Sequence, residues 1–148
     1  MKIIAIYSTI TGNTLKLIRG IKKRIRGIKF LKPSKKAIKE IKKSDLVIFA
    51  SGIYAWRHHK DLLKFAENIP MMNKKCLIIS TAGSPALSGM MHFALRRRLK
   101  NKMKILGEFS CSGFDNFGPL KLFGGLNKGH PDKEDIKKAV KFLKKYLR

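Results

Sequence analysis

The sequence predicts an α/β domain built on a doubly wound, five-stranded parallel sheet with helices on both faces. Three observations predict it. Short apolar runs rich in β-branched residues recur without polar alternation, as strands buried on both faces require. Stretches with apolar residues at helical spacing alternate with them. The connections are also long enough for the crossover helices that parallel strands need. A half barrel, the other arrangement of five β-α units, would leave edges and an apolar face open. At 148 residues, 44% of them hydrophobic, the chain has the size and composition of one domain with a continuous core, so a single domain over residues 1–148 is expected.

Ile-Ile-Ala-Ile-Tyr at residues 3–7 reads as the first strand. Leu17, Ile18, Ile21 and Ile25 recur between Lys and Arg, which predicts an amphipathic helix over 13–25 with a solvated basic face, ended by Gly27. A short second strand follows at 28–31, and Pro33-Ser34 opens a short helix that carries Ala37, Ile38 and Ile41. Strands at 46–50 and 76–80 repeat the buried pattern, and residues 105–111 make a less regular fifth. Helices are predicted over 60–68, 88–101 and 132–147. Pro131 suits the first position of the last helix, and Asp132, Glu134 and Asp135 suit its positive end.

The unusual number is the charge. Lys and Arg total 34 against 9 Asp and Glu, a formal net charge of +25. A field of that size attracts nucleic acid, anionic membrane or an acidic protein. The basic residues are spread over every helical stretch, without interleaved aromatics, which disfavours a dedicated nucleic-acid domain. Two cysteines, Cys76 and Cys111, stand too far from other Cys or His to suggest a zinc or iron–sulfur site and suit a reducing compartment. The amino-terminal apolar run is too short for a signal-peptide core, and no stretch of about 18 apolar residues occurs, so a cytoplasmic location is expected.

In an open doubly wound sheet, ligands bind beyond the carboxyl ends of the strands, where strand order reverses. The first such loop is Ser8-Thr9-Ile10-Thr11-Gly12-Asn13-Thr14, leading straight into a helix. Free N–H groups at a helix start, the positive end of the dipole and a Gly for close approach suit a phosphate. The same residue types are also the preferred turn and capping residues. The loop has neither the Walker pattern nor dinucleotide-fingerprint spacing, which argues against an NTPase and an NAD domain. After the third strand, Ser51-Gly52-Ile53-Tyr54-Ala55-Trp56-Arg57-His58-His59 reads as an exposed loop with two rings, suited to stacking on a planar ligand or to anchoring the loop. Thr81-Ala82-Gly83-Ser84-Pro85 follows the fourth strand and offers backbone donors at the same end.

Thr9-Ile10-Thr11-Gly12-Asn13-Thr14 resembles the phosphate loop of flavodoxins, Ser/Thr-x-Thr-Gly-Asn-Thr, and matches its five specified positions. Ser51-Gly52-Ile53-Tyr54 and the closing stretch Gly113-Phe114-Asp115 through Gly124-Gly125 to Gly129-His130-Pro131 are similar to the wider flavodoxin-like family. The resemblance implies sheet order 2-1-3-4-5 and an FMN cofactor. It places the phosphate on Thr9, Ile10, Thr11, Gly12, Asn13 and Thr14. The flavin then lies between Ser51, Gly52, Ile53, Tyr54, Ala55 and Trp56 on one side and Thr81, Ala82, Gly83 and Ser84 on the other, with Tyr54 or Trp56 stacked on it. The chain resembles the short-chain group. It departs from the family in being basic and in placing Arg57 where many flavodoxins have a Gly-Asp step. The implied function is electron transfer, and the basic charge of this chain leads to the expectation of an acidic redox partner, ferredoxin-like or a reductase. The alternatives are an FMN-dependent oxidoreductase of the quinone reductase or protoporphyrinogen oxidase kind and, third, a charge-driven nucleic-acid-binding domain.

The remaining candidates have plainer readings. His58-His59 reads as loop, His92 as helix surface and His130 as preceding the last helix. Cys76 is expected to be an inert buried thiol; for Cys111, near a strand end, approach to a flavin is the lesser of two readings. Arg96-Arg97-Arg98 reads as a solvated face, and Met71, Met72, Met90 and Met91 as core fillers.

Overall fold

The computed structural model describes residues 1–115 and 118–147. Its elements in order are β1 (Ile3–Ser8), α1 (Asn13–Arg24), β2 (Ile28–Leu31), α2 (Lys35–Lys42), β3 (Leu46–Tyr54), a two-residue β4 (Arg57–His58), α3 (Lys60–Asn68), β5 (Lys74–Ala82), α4 (Ser88–Met91), α5 (Phe93–Leu99), β6 (Met103–Ser112) and α6 (Lys133–Lys144). Short 3-10 helices lie at Pro85–Leu87 and Gly118–Phe123. The strands run parallel in the order β2-β1-β3-β5-β6, and β4 pairs antiparallel with the end of β3. With β4 counted apart, this is the predicted order.

Strand alternation divides the core between two faces. Ile3, Ala5, Ile48 and Ile79 point to one side and meet Leu17 and Ile21 of α1 and Ala139 and Leu143 of α6. Ile4, Ile6, Phe49 and Ile78 point to the other and meet Ile41 of α2, Leu62 of α3 and Leu95 of α5. Each helix turns its apolar stripe inward and its Lys and Arg outward. Local capping sets three helix starts: the Ser34 hydroxyl accepts from the Ala37 N–H at 3.1 Å, His59 accepts from the Asp61 N–H, and Asp132 and Asp135 form a reciprocal capping box.

The structure corrects several boundaries. β3 and β5 run past the predicted residues 50 and 80, to Tyr54 and Ala82. Ser51, Gly52, Ile53 and Tyr54 are therefore strand residues, as are Thr81 and Ala82. Composition understates these central strands because ladders on both sides hold polar residues and Gly extended: Ser51 pairs with Ser8 and Ser80, and Gly52 with Thr81. The predicted helix over 88–101 is two helices meeting at His92. Met71 and Met90 are exposed, not core fillers, whereas Met91 is buried.

Candidate functional site

The carboxyl edge of the sheet carries four segments: residues 9–12 after β1, the β3–β4 hairpin tip at 55–56, residues 83–84 after β5, and, after β6, residues 113–115 and 118–131, which lead to α6. They surround the point between β1 and β3 where strand order reverses.

Gly12 is the N-cap of α1 and sits in the left-handed region at φ 85°, which only Gly adopts without strain. It has no side chain with which to cap the helix, so the first-turn N–H groups face the loop. The turn is closed instead by Thr9, whose Oγ1 accepts from the Gly12 N–H at 3.0 Å. Ile10 and Thr11 are exposed. The next two side chains tie the loop down. Asn13 donates from Nδ2 to the Phe114 carbonyl at 2.7 Å, and the buried Thr14 hydroxyl meets that of Thr81 at 3.1 Å. Thr14 therefore faces β5, with its hydroxyl away from solvent.

Across the crevice, Tyr54 folds back over its own strand. Its hydroxyl accepts from the Ile10 N–H at 2.9 Å, and its ring stands edge-on to His59 at 5.6 Å. Gly52 makes room for this, since a Cβ there would fall 2.5 Å from the Tyr54 hydroxyl. Beyond Tyr54 the chain reverses in two residues, Ala55 (φ 49°) and Trp56 (φ 66°), the positive-φ pair of a tight hairpin turn. Neither is the Gly or Asn such a turn favours. The turn holds Trp56 61% exposed at the rim. Of the predicted aromatic pair, Tyr54 thus reaches the first loop and Trp56 stands free.

On the far side, Gly83 accepts from Asn127 Nδ2 at 2.8 Å, and the Gly113 N–H donates to the Ala82 carbonyl at 3.0 Å. Asp115 and Leu126 pair as an antiparallel bridge within the closing segment, and the bonds from Asn127 and Gly113 are what tie that segment to the end of β5. Thr81 and Ala82 are buried, and Ser84 is the exposed residue of this group.

Sequence reasoning missed a polar network beneath the hairpin. Ser80 Oγ lies 2.6 Å from His92 Nε2 and donates to Ser110 Oγ at 2.8 Å. His92 Nδ1 lies 3.2 Å from Glu108 Oε1, and Arg96 grips the same carboxylate with Nη2 3.0 Å from both oxygens. His92 is a buried residue, contrary to the expected helix surface. The signal was present: it stands three and seven residues before Leu95 and Leu99, on their stripe. His58 is 1% exposed, its ring 4.8 Å from that of His92, and neither of its ring nitrogens has a hydrogen-bond partner among the described residues. His59 is buried too, and its Nδ1 accepts from the Asp61 N–H at the start of α3, so this pair belongs to the core edge and not to a free loop.

Burial, with the nearby His92, pushes His58 down to about 3, the Ile79 backbone opposing only in part. Burial also lowers His92 against the pull of Glu108. The Ser-His-Glu order is that of a hydrolase triad. Ser80, however, is wholly buried and spends its proton on Ser110, and Arg96 already neutralises Glu108. No substrate carbonyl reaches that oxygen. Both cysteines are free and buried, and burial pushes each thiol up to about 12, so neither supplies a thiolate. Cys111 packs in the core between the sheet and α6, so the lesser reading, approach to the crevice, gives way to a buried thiol.

A parallel sheet in this order, with an uncapped helix start facing aromatic residues across the reversal point, defines a doubly wound α/β protein with a ligand crevice at its carboxyl edge. The chain belongs to the flavodoxin domain family, whose model matches residues 4–110. It is 52% identical over 109 residues, 73% of each chain, to an uncharacterized protein of Methanocaldococcus jannaschii. Among solved structures it is similar to oxidised flavodoxin 2 from Bacillus cereus, with a TM-score of 0.64, 17% identity and coverage of 96% and 94% of the two chains. It is also similar to a Fusobacterium nucleatum flavodoxin bound to flavin mononucleotide, with a TM-score of 0.63, 18% identity and full coverage of both. At these identities the likeness is one of fold. No helix among the described residues is long and apolar enough to cross a membrane.

Proposed function

We propose that this protein binds FMN at the carboxyl edge and serves as an electron carrier for an acidic redox partner. The observation that carries the reading is the loop from Thr9 to Thr14: a helix start led by left-handed Gly12 and left without a side-chain cap, beside the exposed hydroxyl of Thr11. That donor set fits a phosphate dianion, which the helix dipole favours. FMN-bound flavodoxin among the structural relatives supports the choice of ligand.

In this reading the backbone of residues 10–14 and the hydroxyls of Thr9 and Thr11 hold the phosphate. Trp56, with Tyr54 behind it, covers the ring system and keeps water from one face. The backbone at Gly83 and Ser84 meets the ring edge, while Thr81, Ala82 and Asn127 hold that backbone in place. FMN, when bound, supplies one- and two-electron transfer, and the protein supplies position and field. Arg57 and a net charge of +25 favour an anionic ligand and an acidic protein, ferredoxin-like or a reductase.

The test is the absorption spectrum of the purified protein, followed by titration of the ligand-free form with FMN and with riboflavin. The expected result is an oxidised-flavin spectrum, released FMN, and riboflavin binding at least ~10-fold weaker, because charge-assisted bonds to phosphate are worth about 1.5–3 kcal/mol each. Equal binding of the two would reduce the loop to a helix start.

A further inference from the structure

On the opposite side of α1 from the sheet, a groove of about 530 Å³ runs between α1 and α6 and begins at Gly12. Its walls carry Lys16, Arg19, Lys23 and Arg24 from α1 and Lys133 from α6, and no carboxylate lines it. None of the five forms an ion pair among the described residues, where the Lys and Arg pairs use Lys2, Lys29, Arg96, Arg98 and Lys137. Lys16 donates to the Gly129 carbonyl and Arg24 to that of Gly20, so two of the cations are held in place by backbone. The floor is apolar and narrow: the helices meet where Gly20 faces Ile136, closely enough that a Cβ on Gly20 would fall 2.5 Å from Ile136 Cδ1.

We propose that this groove, which begins beside the flavin phosphate loop at Gly12, binds the phosphodiester backbone of a nucleic acid without reading its sequence. Lys16, Arg19 and Lys23 stand at i, i+3 and i+7 on one helix face, and seven residues at ~1.5 Å rise span ~10 Å. That is about three steps of the ~3.4 Å axial rise between successive phosphates of one strand. A concave surface lined by one sign of charge concentrates its field where a convex face of equal charge does not. The helix α2 makes the contrast. It carries Lys35, Lys36, Lys39 and Lys42 on the other side of the sheet, also without ion pairs among the described residues, and its one carboxylate, Glu40, is engaged by Lys2 and Lys29, so it offers equal charge outside the groove. The groove offers no aromatic ring for a base to stack on and no Asn or Gln to read a base edge, so the contacts fall on phosphates.

The experiment compares two triple variants of equal charge, Arg19→Ala/Lys23→Ala/Lys133→Ala in the groove and Lys35→Ala/Lys36→Ala/Lys39→Ala on α2. Fluorescence anisotropy follows a labelled DNA duplex and an RNA of the same sequence over a salt series, with polyglutamate as competitor and a thermal melt to verify folding. Lys133 stands at the positive end of α6, so its loss does not endanger the helix. For three lost phosphate contacts the slope of log K against log salt should fall by about 2.7 on duplex DNA, against less than about one for the α2 variant. Tighter binding of DNA or of RNA identifies the source of the backbone. Equal losses in the two variants overturn the proposal, since the charge then acts without a site. Competition by polyglutamate as strong, charge for charge, as by unlabelled oligonucleotide also overturns it, in favour of an acidic protein.

Discussion

The Tyr54 hydroxyl accepts the Ile10 N–H across 2.9 Å, joining the end of β3 to the middle of the first loop. A ligand oxygen arriving at that amide must displace the phenol. The two aromatics of the hairpin therefore have different roles in the proposed site: Trp56 is free to cover a ring, whereas Tyr54 competes with the phosphate for a donor.

Tyr54→Phe removes the competitor and keeps the ring over Gly52. One neutral hydrogen bond is worth about 0.5–1.5 kcal/mol, so FMN affinity should rise by roughly 2- to 10-fold, with riboflavin affinity unchanged. Tyr54→Ala should instead lower both affinities, because the ring is lost. Paired flavin titrations decide the matter, and equal losses of FMN affinity in Phe and Ala would make the hydroxyl a ligand contact.

Thr11 is exposed and makes no hydrogen bond through its side chain among the described residues, so changing it tests the loop without disturbing the fold. Thr11→Val should weaken FMN by roughly 10- to 100-fold, the worth of a hydroxyl bond to a dianion, with an unchanged melting temperature. The mutant titrated beside the wild type checks this. An unchanged dissociation constant removes Thr11 from the phosphate site.

His58 makes acid unfolding a readout of the buried network. Its folded value, about 3, lies below the ordinary 6.5, so the unfolded chain takes up the proton first and stability falls as pH drops through 6.5 toward 3. At pH 5 the gap of about 1.5 units costs about 2 kcal/mol relative to neutral pH. His58→Phe should flatten that part of the curve while His92, lowered in the same direction, retains its own share. Denaturant midpoints at pH 7 and pH 5 measure the difference, and an equal slope in mutant and wild type would exclude His58 as its source.

How far the sequence carried the reading depends on what each signal measures. Apolar runs such as 46–50 and 76–80 mark strands because burial on both faces leaves no other composition. They fall silent at Ser51, Gly52, Thr81 and Ala82, where the ladder and not hydrophobicity keeps the chain extended. The loop from Thr9 to Thr14 was legible because a helix start with Gly needs few long-range contacts. The tasks of its last side chains were not, since Asn13 and Thr14 are committed to Phe114 and Thr81, 101 and 67 residues away. His92 hid for a related reason: a histidine on an apolar stripe gains its meaning only from Ser80, Glu108 and Arg96, brought to it by the sheet.

The hairpin at Ala55-Trp56 joins stability to function most directly. Both residues hold positive φ, at 49° and 66°, in a turn that Asn-Gly would form without strain, and each left-handed residue with a Cβ costs about 1–2 kcal/mol. Glycine at either position relieves that strain but is freer in the unfolded chain by about 0.5–1 kcal/mol. Ala55→Gly and Trp56→Gly should therefore each stabilise the ligand-free protein by about 0.5–1 kcal/mol, a rise of about 1–4 °C in Tm. They should part company over the flavin. Ala55→Gly keeps the exposed ring and should bind FMN as the wild type does. Trp56→Gly loses the ring that covers the flavin, so FMN affinity should fall by about 10-fold and the fluorescence of bound flavin should rise. Strain kept at a rim residue is intelligible when the side chain it displays is used, as often holds at binding sites. Thermal melts and flavin titrations of the two variants separate the possibilities. A Trp56→Gly protein that is both more stable and equally tight for FMN would deny the ring its role and leave the strained turn without a functional reason.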